Sequence, residues 1–300
     1  MTESGLVIVD KPQGWTSHDV VAKIRKLAGT RRVGHAGTLD PMATGVLVVG
    51  VEKATRLLGH LALTEKEYTG TIRLGQTTDT DDAEGVVTGF VPAVNVSEEE
   101  LHRAVSGLTG EIQQVPPGVS AIKVAGQRSY RLARAGAAPQ LAARPVTVSA
   151  FAVEAVRPAG DIVDVDVRVR CSSGTYIRAL ARDLGAALGV GGHLTALRRT
   201  SVGPYQVGQA ATLDQLAERL ELVPLARAAR AAFWHRELTA QEAARIVHGG
   251  RLPALGAGTA PVAAFGPDGS LVALLTEEDG QARSLAVFAE QPIAGSPARS

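Results

Sequence analysis

Residues 34–47 read GHAGTLDPMATGVL, a segment that combines three glycines with an Asp-Pro pair. Pro41 pushes Asp40 away from helical backbone towards extended backbone, while the glycines permit turns that other residues resist. The apolar residues 46–51 follow directly and predict a buried strand that anchors the loop. The sequence therefore predicts a carboxylate held in a restrained loop, an arrangement common in active sites. The same Asp-Pro pair also fits a turn whose aspartate caps the backbone.

Hydrophobic periodicity predicts helices and strands on both sides of this loop. Upstream, an apolar strand at residues 6–10 precedes a helix whose expected N-cap is Ser17 and which ends at Gly29. Downstream, residues 162–171 alternate apolar and polar side chains, which predicts a strand with one buried face. The other predicted elements are helices at 54–63, 98–108, 175–189 and 239–247, and strands at 66–75, 262–265, 271–276 and 285–288. Together these elements indicate a soluble α+β protein.

The bulk composition is that of a globular chain. The 300 residues, 45% hydrophobic and 20% charged, suit one large domain and a small one. The sequence has neither a signal-peptide pattern nor an apolar run as long as a membrane span, so we expect a cytoplasmic protein without membrane contact. A net charge of +1 does not by itself indicate a nucleic-acid binder. The single cysteine, Cys171, lies on the alternating strand and is expected in the core.

The acidic residues 79–84 invite comparison with a calcium loop. That interpretation fails because Ala83 occupies a ligand position and the terminal glutamate is missing. The glycine-rich loop is followed by no Walker Lys-Ser/Thr pair, and no G-x-G-x-x-G opens a helix there. We therefore expect a turn at the acidic run, no metal and no cofactor.

Five ordered motifs resemble those of the TruB family of tRNA pseudouridine synthases. The segment from Gly34 matches the family pattern Gly-His-x-Gly-x-Leu-Asp-Pro-x-Ala-x-Gly-x-Leu. The others are Lys-Pro-x-Gly-x-Thr-Ser from Lys11, Thr-Asp-Thr-x-Asp from Thr78, Gly-Thr-Tyr-Ile-Arg from Gly174 and Leu-Arg-Arg from Leu197. The resemblance implies isomerisation of uridine 55 in the T loop of tRNA, by base flipping and without a cofactor. It also implies an α+β catalytic domain with a mixed, largely antiparallel sheet.

The resemblance assigns roles to six residues of the site. Asp40 is then the catalytic aspartate, and Arg178 pairs with it. An opposite charge within about 4 to 6 Å favours the ionised carboxylate that nucleophilic attack needs. The remaining implied roles are stacking on the target base for Tyr68, contact with the target nucleotide for Tyr176, an apolar pocket wall for Leu197, and filling of the space left by the flipped base for His35.

RNA contacts are expected from basic and aromatic residues outside the catalytic loop. Residues 115–147 resemble the inserted RNA-gripping segment of the family, with Val119 where the family pattern usually has Tyr. The expected RNA-binding residues are Lys11, Arg31, Arg32, Lys123, Arg128, Tyr130, Arg131 and Arg134. The expected partner is the T stem-loop of tRNA, bound by a monomer that needs no protein partner.

Near residue 236 the sequence pattern changes to short apolar runs separated by turn residues. We expect a catalytic domain at residues 1–235, a small β-rich domain similar to a PUA RNA-binding module at 236–291, and a tail at 292–300. Glycine, proline and aspartate turns separate the short apolar runs of the second domain.

Three other functions are compatible with the residues alone. A tRNA-folding chaperone would need the same RNA surface without the chemistry of Asp40. A uridine isomerase directed by guide RNA would need partner proteins. A glycoside hydrolase would pair Asp40 with Asp79 or Asp81, although their spacing does not establish the carboxylate separation that such enzymes need.

Overall fold

A large mixed sheet forms the centre of the computed structural model, which describes residues 3–118, 123–124, 127–128 and 141–289. Among these residues, ten strands join the sheet, and its pairs are antiparallel except Thr44–Val51 with Gly192–Val202. The parallel pair lets the strand after the Asp-Pro loop lie beside a strand from the second half of the chain. The main order is Val223–Pro224, Gly5–Lys11, Thr44–Val51, Gly192–Val202, Lys66–Leu74, Ile162–Cys171, Arg144–Ala159 and Gly110–Gln114, with Val33–Ala36 on Thr44–Val51 and Tyr205–Gln206 on Gly192–Val202.

Seven α-helices occur in the described ranges. The first, α1, has Thr16 as its N-cap, with a capping box to Asp19, and Gly29 ends it in the left-handed conformation. The expected N-cap, Ser17, was wrong by one residue, because the adjacent threonine hydroxyl accepts from the Asp19 amide. The helices are α1 (Ser17–Ala28), α2 (Leu58–Leu61), α3 (Glu98–Gly107), α4 (Ile177–Ala187), α5 (Leu213–Glu218), α6 (Leu225–Ala232) and α7 (Ala240–Val247), with 3-10 turns at Glu52–Leu57 and Val207–Gln209. None of these helices is long and apolar enough to cross a lipid bilayer.

The main core lies between α4 and one face of the sheet. The strand Ile162–Cys171 alternates as predicted, with Val163, Val165, Val167, Val169 and Cys171 buried. Helix α4 turns its own apolar side chains onto this face, among them Ile177, Leu180 and Leu184. Burial raises the pKa of the Cys171 thiol to about 11, which agrees with a role in packing.

A second sheet of five strands begins at Trp234, within the described C-terminal residues. Its strands lie in the order Trp234–Glu237, Val262–Phe265, Leu271–Glu278, Gln281–Val287 and Leu252–Pro253. The inner face of this sheet joins an apolar cluster that also contains Leu57, Leu61 and Ala228. The α+β class, the mixed and largely antiparallel catalytic sheet and the β-rich C-terminal region are therefore confirmed.

Two short hairpins complete the described structure. One pairs Gln76–Thr78 with Val87–Phe90, and the other pairs Lys123–Val124 with Gln127–Arg128 within the inserted segment. The side chains of Lys123 and Arg128 lie outside what the structure describes. So do residues Tyr130, Arg131 and Arg134, Val119, and the tail at 292–300.

Candidate active site

A cavity of about 270 Å³ lies beside the Asp-Pro loop. Its walls come from the loop, from the strand Lys66–Leu74, from the start of α4 and from the strand Gly192–Val202. Five of the six expected site residues line it, and His35 does not. The lining residues are Gly37, Thr38, Leu39, Asp40, Ala62, Lys66, Tyr68, Ser172, Gly174, Thr175, Tyr176, Ile177, Arg178, Leu197 and Arg199.

Asp40 forms an ion pair with Arg178 in the wall of this cavity. The Arg178 Nε atom donates to Asp40 Oδ2 at 3.0 Å, so the pairing predicted from the sequence is present. The Arg178 side chain is 6% exposed, whereas that of Asp40 is 38% exposed. The guanidinium is therefore held inside the protein, while part of the carboxylate remains accessible from the cavity.

The other end of Arg178 is bound by the acidic turn. Its Nη1 atom donates to the Thr80 carbonyl oxygen at 2.8 Å and lies 3.3 Å from Asp82 Oδ2. Asp82 is buried, and its Oδ1 atom accepts from the Thr80 hydroxyl at 2.6 Å and from the Glu84 amide at 3.0 Å. Sequence reasoning identified this segment as a turn but missed Asp82 as a second partner of Arg178. A buried polar turn beside an arginine is recognisable only once the fold brings them together.

Buried side chains hold the loop that carries Asp40. The Ser17 hydroxyl accepts from the Leu39 amide at 2.9 Å and donates to the Leu39 carbonyl at 3.1 Å. The fully buried Arg199 donates to the carbonyl oxygens of Val46 at 2.7 Å and of Gly37 at 3.0 Å. These bonds fix the backbone on both sides of Asp40, so contacts from two distant segments determine the position of the carboxylate.

Gly45 explains how Arg199 approaches so closely. Its φ is 97°, and a Cβ atom placed there would lie 2.2 Å from the Arg199 carbonyl oxygen. Only glycine both adopts this backbone and leaves room for the neighbouring strand. The glycine spacing of the motif therefore has a packing cause.

Lys11 has a different position from the one expected of an RNA contact. It is fully buried, and its Nζ donates to the carbonyl oxygens of Trp15 at 2.6 Å, Pro12 at 2.9 Å and Pro41 at 3.3 Å. Burial lowers the pKa of its ammonium to about 8. The assignment of Lys11 to RNA binding is corrected, because its amine is enclosed by backbone carbonyls next to Asp40.

Aromatic, apolar and basic side chains form the rest of the cavity wall. Tyr68 and Leu197 are nearly buried, and Tyr176 is half-buried at the N-cap of α4. Burial raises the pKa of both tyrosine hydroxyls, which keeps them neutral. Lys66, which sequence reasoning missed, donates to the carbonyl oxygens of Ala62 and Thr64, and burial lowers its pKa to about 8.

His35 and the two loop arginines lie apart from the cavity lining. His35 is on the strand Val33–Ala36, where its ring meets that of His18 edge-on at 5.8 Å and burial lowers its pKa. Arg31 and Arg32 are exposed between α1 and that strand, and Arg32 lies 3.8 Å from Glu52. Both arginines line a separate surface depression that also contains Lys53 and Arg56.

Family models match three successive parts of the chain. Residues 25–177 match the TruB family pseudouridylate synthase (N terminal domain). Residues 178–228 match the tRNA pseudouridylate synthase B C-terminal domain, and residues 233–289 match the tRNA Pseudouridine synthase II, C terminal model. The chain belongs to the TruB family of pseudouridine synthases. It is therefore an enzyme, an isomerase of that class.

Curated relatives of this TruB-family chain are similar over nearly their whole length. A protein from Arthrobacter sp. (strain FB24), named tRNA pseudouridine synthase B, is 63% identical and covers 96% of this chain and 99% of its own length. A protein of the same name from Thermobifida fusca (strain YX) is also 63% identical, over 95% of this chain and 98% of its own length.

Solved structures share the fold of this TruB-family chain at lower identity. A chain of an H/ACA RNP bound to a substrate RNA containing 2'-deoxyuridine has a TM-score of 0.71 and 27% identity, covering 95% of this chain and 85% of its own length. A chain of a Cbf5-Nop10-Gar1 complex has a TM-score of 0.71 and 30% identity, covering 96% and 84%.

Proposed function

We propose that this chain converts uridine 55 in the T loop of tRNA to pseudouridine, with Asp40 as the catalytic carboxylate. The observation that carries the proposal is the Asp40–Arg178 ion pair, 3.0 Å long, in the wall of the cavity. The names of the curated relatives support tRNA as the substrate. The reaction breaks the bond from the ribose to the uracil nitrogen and forms a bond from the ribose to a uracil carbon. That carbon loses a proton and the nitrogen gains one, so there is no net oxidation or reduction.

The ion pair suits Asp40 to covalent chemistry because it holds the carboxylate in a fixed position at the cavity wall. The guanidinium of Arg178 donates to Oδ2 of Asp40. We assign Oδ1 as the atom that attacks the uridine. Its bond to the sugar forms as the bond from the ribose to the uracil nitrogen breaks, or its bond to the base forms as the carbon–carbon double bond of the uracil opens. In either case Asp40 leaves as a carboxylate before the product is released.

The cavity wall provides surfaces for a flipped nucleotide. We assign Tyr68 to stacking on the uracil, Leu197 to the apolar wall of the pocket and Tyr176 to contact with the nucleotide. Flipping costs a few kcal/mol, which aromatic stacking worth about 1–3 kcal/mol per base can offset. His35 would fill the space that the flipped base leaves in the RNA.

RNA contacts are proposed for exposed basic residues and for two further regions. Arg31 and Arg32 present guanidinium groups that suit phosphate binding. The second region is the inserted segment at 115–147, and the third is the domain at 236–291, which we propose to be PUA-like. The residues assigned to RNA binding in the inserted segment are Lys123, Arg128, Tyr130, Arg131 and Arg134.

We further propose that the enzyme acts as a cytoplasmic monomer on the T stem-loop, without a guide RNA or an obligate protein partner. The solved relatives are chains of an H/ACA RNP and of a complex with Nop10 and Gar1, at 27% and 30% identity. The curated relatives at 63% identity are named as tRNA enzymes, which favours tRNA recognition by this chain itself.

Conversion of an unmodified tRNA transcript by the pure protein tests the proposal. We expect pseudouridine at uridine 55 from the wild type, mapped by chemical labelling and mass spectrometry. Asp40→Asn should lower the single-turnover rate at least about a thousand-fold, as removal of a nucleophile does in other enzymes, with tRNA affinity nearly unchanged. Asp214→Asn, which changes an exposed aspartate in α5, is the matched control and should retain wild-type activity.

Each possible outcome has a distinct meaning. Full activity of Asp40→Asn would reject the catalytic assignment. Tight tRNA binding without any pseudouridine from the wild type would favour the chaperone, and release of free uracil would favour a hydrolase. Activity only after addition of guide RNA and partner proteins would favour the guided isomerase.

A further inference from the structure

A glutamine at the base of the inserted segment is bonded to the backbone of Tyr176. Gln114 is the last residue of the strand Gly110–Gln114 and is 2% exposed. Its Oε1 atom accepts from the Tyr176 amide at 2.8 Å, and its Nε2 atom donates to the Tyr176 carbonyl at 3.1 Å. A carboxamide is suited to this task because it carries an acceptor and a donor side by side.

The backbone of Tyr176 is also held by its place at the start of α4. It is the N-cap of α4, and its own side chain makes no capping bond. Its carbonyl also accepts from the Leu180 amide at 3.2 Å, which is the first bond of the helix. The pair of bonds to Gln114 therefore sets the direction in which the Tyr176 side chain enters the cavity wall.

We propose that Gln114 is a positioning residue of the isomerase site, which holds Tyr176 against the target nucleotide from the base of the segment at 115–147. This inference rests on the proposed function, since it gives Tyr176 the nucleotide contact assigned there. Gln114 itself does not line the cavity, so it acts through Tyr176.

A second hydrogen bond joins Val115, the residue after Gln114, to helix α4. The Arg182 Nη2 atom donates to the Val115 carbonyl at 2.8 Å, while its Nη1 atom lies 3.1 Å from Asp81 Oδ2. The strand that returns from the inserted segment starts at Arg144, directly opposite Gln114 in the sheet. The chain therefore leaves the sheet and re-enters it beside the residue that holds Tyr176.

Substitution of Gln114 tests the proposal through kinetics. Gln114→Glu keeps the size and the acceptor but loses the donor, and Gln114→Leu loses both. We expect the single-turnover rate on tRNA to fall about 10- to 100-fold in each, because small misplacements of a positioning group have effects of this size. The Kd for tRNA should change less than about threefold by the same argument, since the lost contact is not with RNA. Gln113→Glu, on the exposed neighbour, is the matched control and should behave as wild type.

A double-mutant cycle separates positioning from general destabilisation. If Gln114 acts through the Tyr176 ring, Gln114→Leu should have little further effect on the rate in a Tyr176→Ala background. Fully additive losses would overturn the proposal, as would a wild-type rate in both Gln114 variants.

Amide hydrogen exchange provides a readout that does not depend on activity. The Tyr176 amide is protected by Gln114, so exchange in a peptide spanning residues 174–180 should accelerate at least about tenfold in Gln114→Leu and stay unchanged in Gln113→Glu. Unchanged exchange in Gln114→Leu would overturn the proposal whatever the enzyme does. If exchange in Gln114→Leu accelerates as expected but the wild type produces no pseudouridine, the proposed function alone is rejected.

Discussion

Arg178 places one positive charge between two carboxylates. Its Nε atom meets Asp40 at 3.0 Å, and its Nη1 atom meets both Asp82 at 3.3 Å and the Thr80 carbonyl at 2.8 Å. The planar guanidinium has donors pointing to both sides, so one buried side chain can bind both partners. Asp82 thereby keeps the arginine in place while Asp40 remains open to substrate.

We predict that Arg178→Lys and Arg178→Ala lose turnover rather than RNA affinity. An ammonium is a compact point charge that cannot span Asp40 and Asp82 together, and alanine leaves Asp82 as a buried, unpaired carboxylate. The rate at saturating tRNA should fall about 100-fold or more, a loss of about 3 kcal/mol in transition-state stabilisation. Single-turnover kinetics and tRNA binding measure the two effects separately.

Arg103→Lys is the control for this comparison, because Arg103 is exposed and pairs with Glu99 on the surface of α3. It should leave turnover unchanged. Arg178 variants with wild-type turnover at saturating tRNA would show that the ion pair is dispensable.

The sequence was informative about single residues where a motif was long. The resemblance to a family predicts Asp40, Arg178, Tyr68, Tyr176 and Leu197 as site residues, and all five line the cavity. Lys11 and Ser17 belong to the same family motifs, but their contacts are not predictable, because both side chains bond to backbone that is distant in sequence, at Pro41 and Leu39. Arg199 was missed as a loop anchor because nothing in its local sequence shows that its guanidinium is buried.

Helix α4 is the element that carries Arg178, and it depends on a very close backbone contact. A Cβ atom at Gly185 would lie 2.2 Å from both the Gly191 carbonyl carbon and the Gly192 amide nitrogen. The Cα atom of Gly185 therefore packs directly on the turn that enters the strand Gly192–Val202. This contact sets the distance between α4 and the sheet.

We predict opposite effects for alanine at two helical glycines. Gly185→Ala should lower the free energy of unfolding by about 1–3 kcal/mol, as overpacking does in well-packed cores. Gly107→Ala is the matched control at the end of α3, where a Cβ atom would meet nothing within 4 Å. It should raise stability by about 0.5–1 kcal/mol through the better helix propensity of alanine.

Urea unfolding of the two variants measures these changes directly. Because α4 also carries Arg178, Gly185→Ala should reduce the rate on tRNA as well, whereas Gly107→Ala should not. If Gly185→Ala leaves the free energy of unfolding unchanged, the turn at Gly191 shifts more easily than the geometry indicates.

Helices and strands with a strong hydrophobic pattern can be predicted from the sequence. Which strands pair with one another in the sheet cannot. The alternation in residues 162–171 and the periodicity in residues 98–108 both predict the correct element. The predicted helix at 54–63 is instead a 3-10 turn at Glu52–Leu57 followed by the single turn of α2. Periodicity reports which face is buried, and it carries no information on which strand lies next to Thr44–Val51.

At the scale of the whole molecule, the C-terminal sheet shares a core with the catalytic domain. Phe265 is fully buried in the shared cluster, with Leu57 and Ala228 from the catalytic side. The guanidinium carbon of Arg230 lies 3.8 Å from the centre of the Phe265 ring, and Lys53 donates to the Phe288 carbonyl at 3.2 Å. Apolar, cation–π and hydrogen-bond contacts thus join the two sheets.

We predict that the two sheets unfold together. Phe265→Ala should lower the free energy of unfolding by about 3–5 kcal/mol and keep one cooperative transition, because the cavity it leaves weakens both sides of the shared core. Phe90→Ala is the matched control, since Phe90 is 52% exposed on a hairpin. Calorimetry that resolves a separate, early transition in Phe265→Ala would show that the C-terminal sheet unfolds independently.

The long sequence separation between Asp40 and the residues that hold it has a consequence for synthesis. Arg178 follows Asp40 by 138 residues, and Arg199 follows Gly37 by 162. At about 5–20 residues per second, a ribosome needs roughly 7 to 30 s to add the arginine after the aspartate. The nascent chain therefore contains its aspartate long before the arginine that pairs with it exists. Release of a chain truncated before residue 178 yields a protein that has the aspartate but no ion pair.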